Sequence, residues 1–160
     1  MEESKKPRKL LTPLEAKRKA ENYCAYQERA QQEVRNKLYE WGLHQKEIEN
    51  IIAQLIEDNF LNEERFAKAY TLGKFRMKGW GKIKIKQHLK FKKVSEPLIR
   101  LALKSIDIDE YDKKIEETIH KKINKSLPEL SFNEKSKLAN YLQSKGFEND
   151  LIFEKINHQD

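Results

Sequence analysis

The stretch VRNKLYEWGLHQKEIENIIAQL, residues 34–55, predicts two short helices joined by a turn. Val34 and Leu38 stand four residues apart, a spacing that places both on one face of a helix. Gly42 follows, and a glycine here can take the left-handed conformation that ends a helix. A second apolar stripe then runs through Leu43, Ile48, Ile51, Ile52 and Leu55.

The same spacing occurs twice more along the chain, at intervals of 51 and 53 residues. The second copy consists of Ile85, Leu89, Lys93, Val94 and Ile99, continued by Ala102, Leu103 and Ile106. The third copy consists of Leu138, Leu142, Gly146, Phe147 and Ile152, and it weakens where Lys155 and Gln159 replace apolar residues. Only the second copy lacks the turn glycine, and Lys93 puts that turn in doubt. A recurrence at this interval predicts a repeat architecture.

One more helix is expected ahead of each pair, at residues 13–26, 63–76 and roughly 109–124. Their starts carry capping signals: Thr12 with Pro13 and Glu15, and Asn62 before two glutamates. Ser131 and Glu134 show the spacing of a capping box at a later helix. With only 5 glycines and 4 prolines, the composition favours helices over a sheet.

The predicted fold is therefore all-α, with three tandem three-helix repeats stacked into an elongated, curved array of right-handed or similar sense. A flexible basic tail is expected over residues 1–11. The three repeats are expected at residues 12–58, 59–106 and 107–160.

Positive charge is concentrated in the middle repeat. The chain carries a net charge of +7, but residues 65–104 hold 13 lysines and arginines against the single acid Glu96, or +12, so the remainder sums to −5. This distribution favours a polyanionic partner, either nucleic acid or an acidic protein surface, although surplus lysine also aids solubility. Lysines that contact phosphates act through charge and counterion release, so such binding would be salt-sensitive and independent of base sequence.

Aromatic residues accompany this charge. Phe75 and Phe91 are expected in the core, because aromatic residues at helical spacing are usually packed. Trp80, between two glycines, is expected on a turn, either packed against a neighbouring repeat or exposed as an anchor. Three lysines alternate with isoleucines from Lys82 to Lys86 in the manner of a strand, but the residues that follow favour a helix.

The sequence offers no catalytic constellation, and neither an enzymatic activity nor a cofactor is expected. The four histidines are scattered, without the spacing of a zinc site. Gly79 to Lys82 lacks the spacer and the hydroxyl residue of a phosphate loop. The acids Asp107, Asp109, Glu110 and Asp112 suit a helix start better than a metal site. The lone Cys24, the polar N-terminus and the lack of a long apolar window favour a soluble, cytoplasmic protein without membrane contact. The chain is expected to be a monomer.

Two stretches resemble the RecX family of recombination regulators: CAYQERAQQEVRNKLYEWG at residues 24–42 and FLNEERFAKAYTLGKFRMKGWG at residues 60–81. The first matches the family pattern at Arg29, Ala30, Glu33, Val34, Lys37 and Leu38. The second matches it at Phe60, Leu61, Asn62, Glu63, Arg65, Phe66, Ala67, Tyr70, Lys78, Gly79 and Gly81. Ala30 replaces a frequent serine and Asn62 a usual aspartate. The resemblance covers residues 12–157, and in the third repeat it rests mainly on periodicity.

The resemblance implies a modulator, generally an inhibitor, of the RecA recombinase in homologous recombination, DNA repair and the SOS response. Such proteins lodge in the groove of the RecA filament or cap its end. Partners would be the RecA filament and the phosphates of single-stranded or duplex DNA. The candidate contacts are Arg29, Lys37, Arg65, Lys74, Arg76, Lys78, Trp80, Lys82, Lys84 and Lys86. Arg29 and Arg65 could instead form structural pairs with acids.

Two other functions fit the same residues. A plain DNA-binding module would also use three-helix units with a basic middle. A helical scaffold for another protein would make no use of the +12 segment, so replacing Lys82, Lys84 and Lys86 with glutamate would leave it unaffected.

The overall shape of the chain tests the predicted stacking of three similar repeats. Small-angle X-ray scattering should give a radius of gyration clearly above the roughly 15 Å expected for a compact chain of this length. A profile typical of a sphere would contradict the elongated arrangement.

Overall fold

The computed structural model describes residues 10–157, which form nine α-helices and no β-strand. The helices are α1 (Pro13–Tyr26), α2 (Gln31–Glu40), α3 (Gln45–Glu57), α4 (Glu63–Gly73), α5 (Lys82–Phe91), α6 (Glu96–Lys104), α7 (Ile108–Lys122), α8 (Phe132–Ser144) and α9 (Asn149–Asn157). A π-helical turn, Lys74–Lys78, extends α4, and a 3-10 turn, Leu127–Glu129, precedes α8. The all-α prediction is confirmed. Most of the predicted tail, residues 1–9, and the predicted stripe position Gln159 lie outside the described residues.

The helices begin where the capping signals predict. The Thr12 side chain accepts a hydrogen bond from the Glu15 backbone N–H at 3.3 Å. Asn62 Oδ1 accepts from a backbone N–H in the first turn of α4 at 2.9 Å. At α8 both halves of the capping box form, because Ser131 and Glu134 each accept from the other's backbone N–H. These bonds satisfy donors that a helix start leaves without intrahelical partners.

The turn residues of all three copies adopt the left-handed conformation, with φ of 88° at Gly42, 65° at Lys93 and 96° at Gly146. The second turn therefore forms without a glycine. Leu89 and Val94 on either side of Lys93 are buried. A lysine at positive φ carries backbone strain that a glycine would avoid.

The repeated apolar spacing marks the hydrophobic core. None of the twelve apolar side chains at the shared positions is more than 6% exposed. They are Val34, Leu38, Leu43, Ile48, Ile85, Leu89, Val94, Ile99, Leu138, Leu142, Phe147 and Ile152. At the weak end of the third stripe, Lys155 instead pairs with Asp112 at 2.6 Å and with Glu116 at 2.8 Å.

The two phenylalanines of the basic segment differ. Phe75 is fully buried, which confirms its predicted place in the core. Phe91 is 88% exposed, so the core prediction was wrong for this residue. The buried face of α5 is defined by Ile85 and Leu89, and a residue two positions after Leu89 points about 200° around the helix from it.

The chain divides into two compact units. The first ends at Phe66 and includes residues 92–94, and the second comprises residues 67–91 and the chain from Ser95 onward. In the first unit, Ala16, Ala20 and Cys24 of α1 pack with the apolar stripes of α2 and α3. In the second unit, the Tyr111 ring lies 5.7 Å from the rings of both Phe75 and Phe147.

Within the second unit, the start of α5 contacts the turn between α8 and α9 backbone to backbone. The Gly81 N–H donates to Lys145 O at 2.8 Å, and the Ile83 N–H donates to Gly146 O at 3.0 Å. A Cβ added at Gly81 would lie 2.3 Å from the Gly146 carbonyl, closer than any real contact. Position 81 therefore requires glycine because of packing.

Alanine substitutions at two glycines of the second unit test this packing. Gly81→Ala should lower the free energy of unfolding by about 1–3 kcal/mol, because the backbone of the facing turn has to shift. Gly73→Ala should raise it by up to about 1 kcal/mol, because Gly73 has helical dihedrals and nothing within 4 Å of the new methyl group. Urea unfolding followed by circular dichroism measures both, and equal effects of the two substitutions would contradict the contact.

Candidate nucleic-acid interface

Three of the ten candidate residues belong to the first unit: Arg29, Lys37 and Arg65. Arg29 packs on the ring of Tyr23. Its guanidinium carbon lies 3.7 Å from the Tyr23 ring centroid, and its Nε donates to the Tyr23 carbonyl at 2.9 Å. Lys37 Nζ is 5.9 Å from the same ring centroid and 3.5 Å from Glu40. Burial raises the pKa of Tyr23, with Arg29 acting in the opposite direction. Arg29 thus fixes the end of α1 as well as carrying charge.

Arg65 connects the loop between α1 and α2 with the loop between α3 and α4. Its Nε donates to the Glu28 carboxylate, and its two terminal nitrogens donate to the Asn59 side chain at 3.2 Å and to the Asn59 carbonyl at 3.1 Å. A further bond of 3.4 Å reaches the Phe60 carbonyl. Because a planar guanidinium fork fits several acceptors at once, this pattern supports the structural alternative for Arg65.

The other seven candidates belong to the second unit. Two of them, Lys74 and Lys84, lie against a third, Trp80. The π-helical turn ends at Gly79, whose φ of 67° reverses the chain, and the Trp80 N–H bonds back to Lys74 O at 3.2 Å. Lys74 Nζ and Lys84 Nζ then lie 5.0 Å and 4.6 Å from the Trp80 ring centroid. The half-buried indole packs against His88, with 4.5 Å between ring centroids. Trp80 therefore lies against its own repeat.

The remaining four candidates of the second unit are Arg76, Lys78, Lys82 and Lys86. Lys82 and Lys86 share a face of α5, one turn apart, and Lys82 Nζ lies 4.9 Å from the Tyr111 ring centroid. The Tyr111 hydroxyl accepts from the Lys82 N–H at 3.0 Å and donates to Glu148, which fixes the start of α5. Arg76 is exposed and pairs with Glu110 at 3.1 Å, and Lys78 is exposed beside it. The prediction of helix for this lysine-rich stretch is confirmed.

Three lysines that the sequence analysis did not include lie near Lys78. Lys114 and Lys121 of α7 and Lys145 after α8 line a cleft with Lys78. The charge count missed them because acids elsewhere in the third repeat cancel their charge in any linear sum. A spacing of seven residues between Lys114 and Lys121, two helical turns, was the available signal.

Asp107, Glu110 and Asp112, near the start of α7, have structural partners. Asp107 caps the helix by accepting from the Glu110 N–H at 3.0 Å, which confirms the capping interpretation. Asp112 pairs with Lys155. Across residues 10–157, no three His, Cys, Asp or Glu side chains come together as a metal site. Burial raises the pKa of Cys24 to about 11, so this thiol stays protonated at neutral pH.

None of the helices in the described part of the chain is long and apolar enough to cross a membrane. In the second unit, the ammonium groups of Lys74 and Lys84 lie over the Trp80 ring. Ammonium groups attract phosphates through charge.

Comparison with known proteins shows the family of the chain. The chain matches the models of the first, second and third three-helix domains of RecX over residues 16–55, 62–103 and 109–156. It is 30% identical over 133 residues to a protein named regulatory protein RecX from Halalkalibacterium halodurans, covering 83% of this chain and 50% of that protein. A protein of the same name from Clostridium perfringens strain 13 is 33% identical over 124 residues, or 76% of this chain and 58% of that protein.

The chain thus spans about half the length of the curated relatives that it matches. Among solved structures, RecX from Lactobacillus salivarius superposes with a TM-score of 0.80 at 25% identity, covering 91% of this chain and 96% of that one. A second structure, of a regulatory protein RecX, has a TM-score of 0.76 at 21% identity, covering 92% and 74%, and supports the fold alone. With three matched domains in the family's order and on the family's fold, the chain belongs to the RecX family.

Proposed function

We propose that this chain binds the RecA–DNA filament in the cytoplasm and inhibits RecA, limiting its ATP hydrolysis and strand exchange. The proposal rests on family membership together with one observation: within the +12 segment, Lys74 and Lys84 of the second unit lie over the Trp80 ring. The chain would act by binding, as a regulator without catalytic chemistry. It would need neither a cofactor nor a second copy of itself.

The side chains around Trp80 suit a nucleoprotein filament. Lys74 and Lys84 hold their charges on the indole face, and Lys82 and Lys86 extend the charge along α5. Each contact with a single-strand phosphate would contribute roughly 0.7 to the slope of log affinity against log salt concentration. Acidic surfaces of RecA would be attracted by the same field, so steering would favour DNA that RecA already coats.

The candidates differ in what they can contribute. Arg76 and Lys78 are exposed on the π-helical turn and are assigned to phosphate or carboxylate contacts. Arg29 and Lys37 are half-buried around Tyr23 and would contribute at the edge of a contact in the first unit. Arg65 donates four hydrogen bonds within the first unit, and we assign it a supporting role.

A sequence-independent DNA-binding module that does not need RecA is the second candidate function. It is favoured by the near absence of acids from residues 65–104, since an almost purely cationic segment binds any nucleic acid. Affinity for bare and for RecA-coated single-stranded DNA, measured at several salt concentrations, separates the two. Tighter binding to coated DNA with a shallower slope supports the regulator, whereas equal affinity and a steep slope support the plain DNA binder.

The RecA ATPase assay on single-stranded DNA tests the regulator directly. The unmodified chain should lower the ATPase rate, and the triple variant Lys82→Glu, Lys84→Glu, Lys86→Glu should need at least about tenfold more protein for the same inhibition. The reason is that three attractive charges facing a polyanion become repulsive.

A variant with the same change in net charge is the control for this assay. Lys113→Glu, Lys135→Glu and Lys137→Glu reverse three lysines of the third repeat that are not candidate contacts. This control should inhibit like the unmodified chain, and thermal melts should show that both variants are folded. No inhibition by the unmodified chain at micromolar excess, or equal loss in both variants, would count against the proposal.

A further inference from the structure

A cleft of about 200 Å³ lies in the second unit beside the π-helical turn. Its walls come from three parts of the chain: the turn itself, α7 and the end of α8. The charged residues that line it are Arg76, Lys78, Lys114, Glu117, Lys121 and Lys145. We call it the Lys145 cleft.

The walls of the Lys145 cleft carry far more positive than negative charge. Glu117 is the single acid among the lining residues, and its carboxylate is 3.9 Å from Lys114 Nζ, at the outer limit of an ion pair. Arg76 is held by Glu110 from outside the cleft. Lys121 is exposed on α7, two turns after Lys114 on the same side of the helix.

Lys145 is fixed in the wall of the cleft. Its Nζ donates to the Lys78 carbonyl at 2.7 Å and lies 3.8 Å from where a Cβ would stand at Gly79. Burial lowers the pKa of Lys145, and the nearby charges of Lys84 and Lys78 lower it further. The ammonium is thus held among like charges, an arrangement that a bound anion would stabilise.

The backbone donors near the cleft are already used. The Gly79 N–H donates to Phe75 O at 3.0 Å, and the Gly81 N–H donates to Lys145 O at 2.8 Å. The Lys82 N–H donates to the Tyr111 hydroxyl. These three N–H groups are therefore occupied, and a ligand in the cleft would be held by side-chain ammonium groups from several directions. Lysine recognises phosphate in this way, as a point charge without planar geometry.

We propose that the Lys145 cleft binds a phosphate group of a nucleic-acid backbone. The tetrahedral arrangement of phosphate oxygens allows simultaneous contact with ammonium groups on α7, on the turn and after α8, whereas a planar carboxylate presents two oxygens in one plane. The inference deepens the proposed function, on which it rests for the source of the phosphate. It adds the third repeat to the DNA-contacting surface.

Binding of a short labelled oligothymidine, measured without RecA by fluorescence anisotropy over a series of salt concentrations, tests the cleft. The variant Lys114→Gln, Lys121→Gln removes two charges and leaves the structural bond of Lys145 in place. Its slope of log affinity against log salt concentration should be shallower by roughly 0.7, the value for one lost phosphate contact, with affinity lower by about threefold or more at low salt.

Two further variants make the result specific. Lys113→Gln, Lys135→Gln removes the same charge from outside the cleft and should keep the slope and affinity of the unmodified chain. Lys114→Arg, Lys121→Arg keeps both charges and should restore binding. If the cleft variant and the outside variant behave alike, or if the arginine variant fails to restore binding while melting normally, the inference is overturned.

A second arm separates free phosphate from backbone phosphate. Pyrophosphate is added at constant ionic strength while the thermal midpoint is followed. A rise in the unmodified chain that is lost in Lys114→Gln, Lys121→Gln shows that the cleft also takes free phosphate. If the thermal midpoint rises in neither chain and the salt slope is altered, the cleft is assigned to backbone phosphate. If the midpoint rises equally in both chains, pyrophosphate binds elsewhere, which counts against the cleft.

Both arms are free of RecA, so their outcome is independent of the ATPase assay. If the cleft variant changes oligothymidine binding but the unmodified chain leaves RecA activity unchanged, the proposed function is overturned and the phosphate site stands. If the unmodified chain inhibits RecA but all variants bind oligothymidine alike, the phosphate site is overturned and the proposed function stands.

Discussion

The close approach of two backbones at Gly81 and Gly146 positions the charged groups of the second unit. It brings the first residues of α5 against the turn between α8 and α9, where two backbone hydrogen bonds form, and Tyr111 adds a third bond to Lys82. Because there is no room for a Cβ on either side, the lysines of the second repeat and Lys145 of the third share one region. These lysines carry like charge and repel each other, so the contact between the two segments depends on backbone hydrogen bonds and on shape.

The concentration of positive charge in residues 65–104 is tolerated because the charges are placed against different groups. Lys74 and Lys84 lie over Trp80, and Lys82 lies over Tyr111. Lys90 pairs with Glu96 at 3.0 Å. Exposed pairs of this kind contribute little stability, and cation–π contacts add about 0.5–1 kcal/mol each at exposed sites. The residual repulsion favours a polyanion as partner, which is the physical basis of both proposals.

The candidate interface could be predicted from sequence only where it is continuous along the chain. Lys82, Lys84 and Lys86 follow one another in a single helix, so a count of charges along the sequence found them. Lys114, Lys121 and Lys145 are brought beside Lys78 by packing of α7 and α8, and no linear count can show this. Arg65 shows the opposite limit, because its charge suggested a contact while its hydrogen bonds give it a structural role.

Periodicity and capping signals were sufficient to predict the helices, the buried stripes and the all-α repeat fold, because the period of the apolar residues marks the face that a helix buries and the caps mark its ends. The turn at Lys93, which the missing glycine put in doubt, forms with a φ of 65°. Packing between distant segments settled the backbone contact of Gly81 with Gly146 and the formation of the Lys145 cleft. These features arise from contacts between residues far apart in the chain, and local spacing carries no information about such contacts.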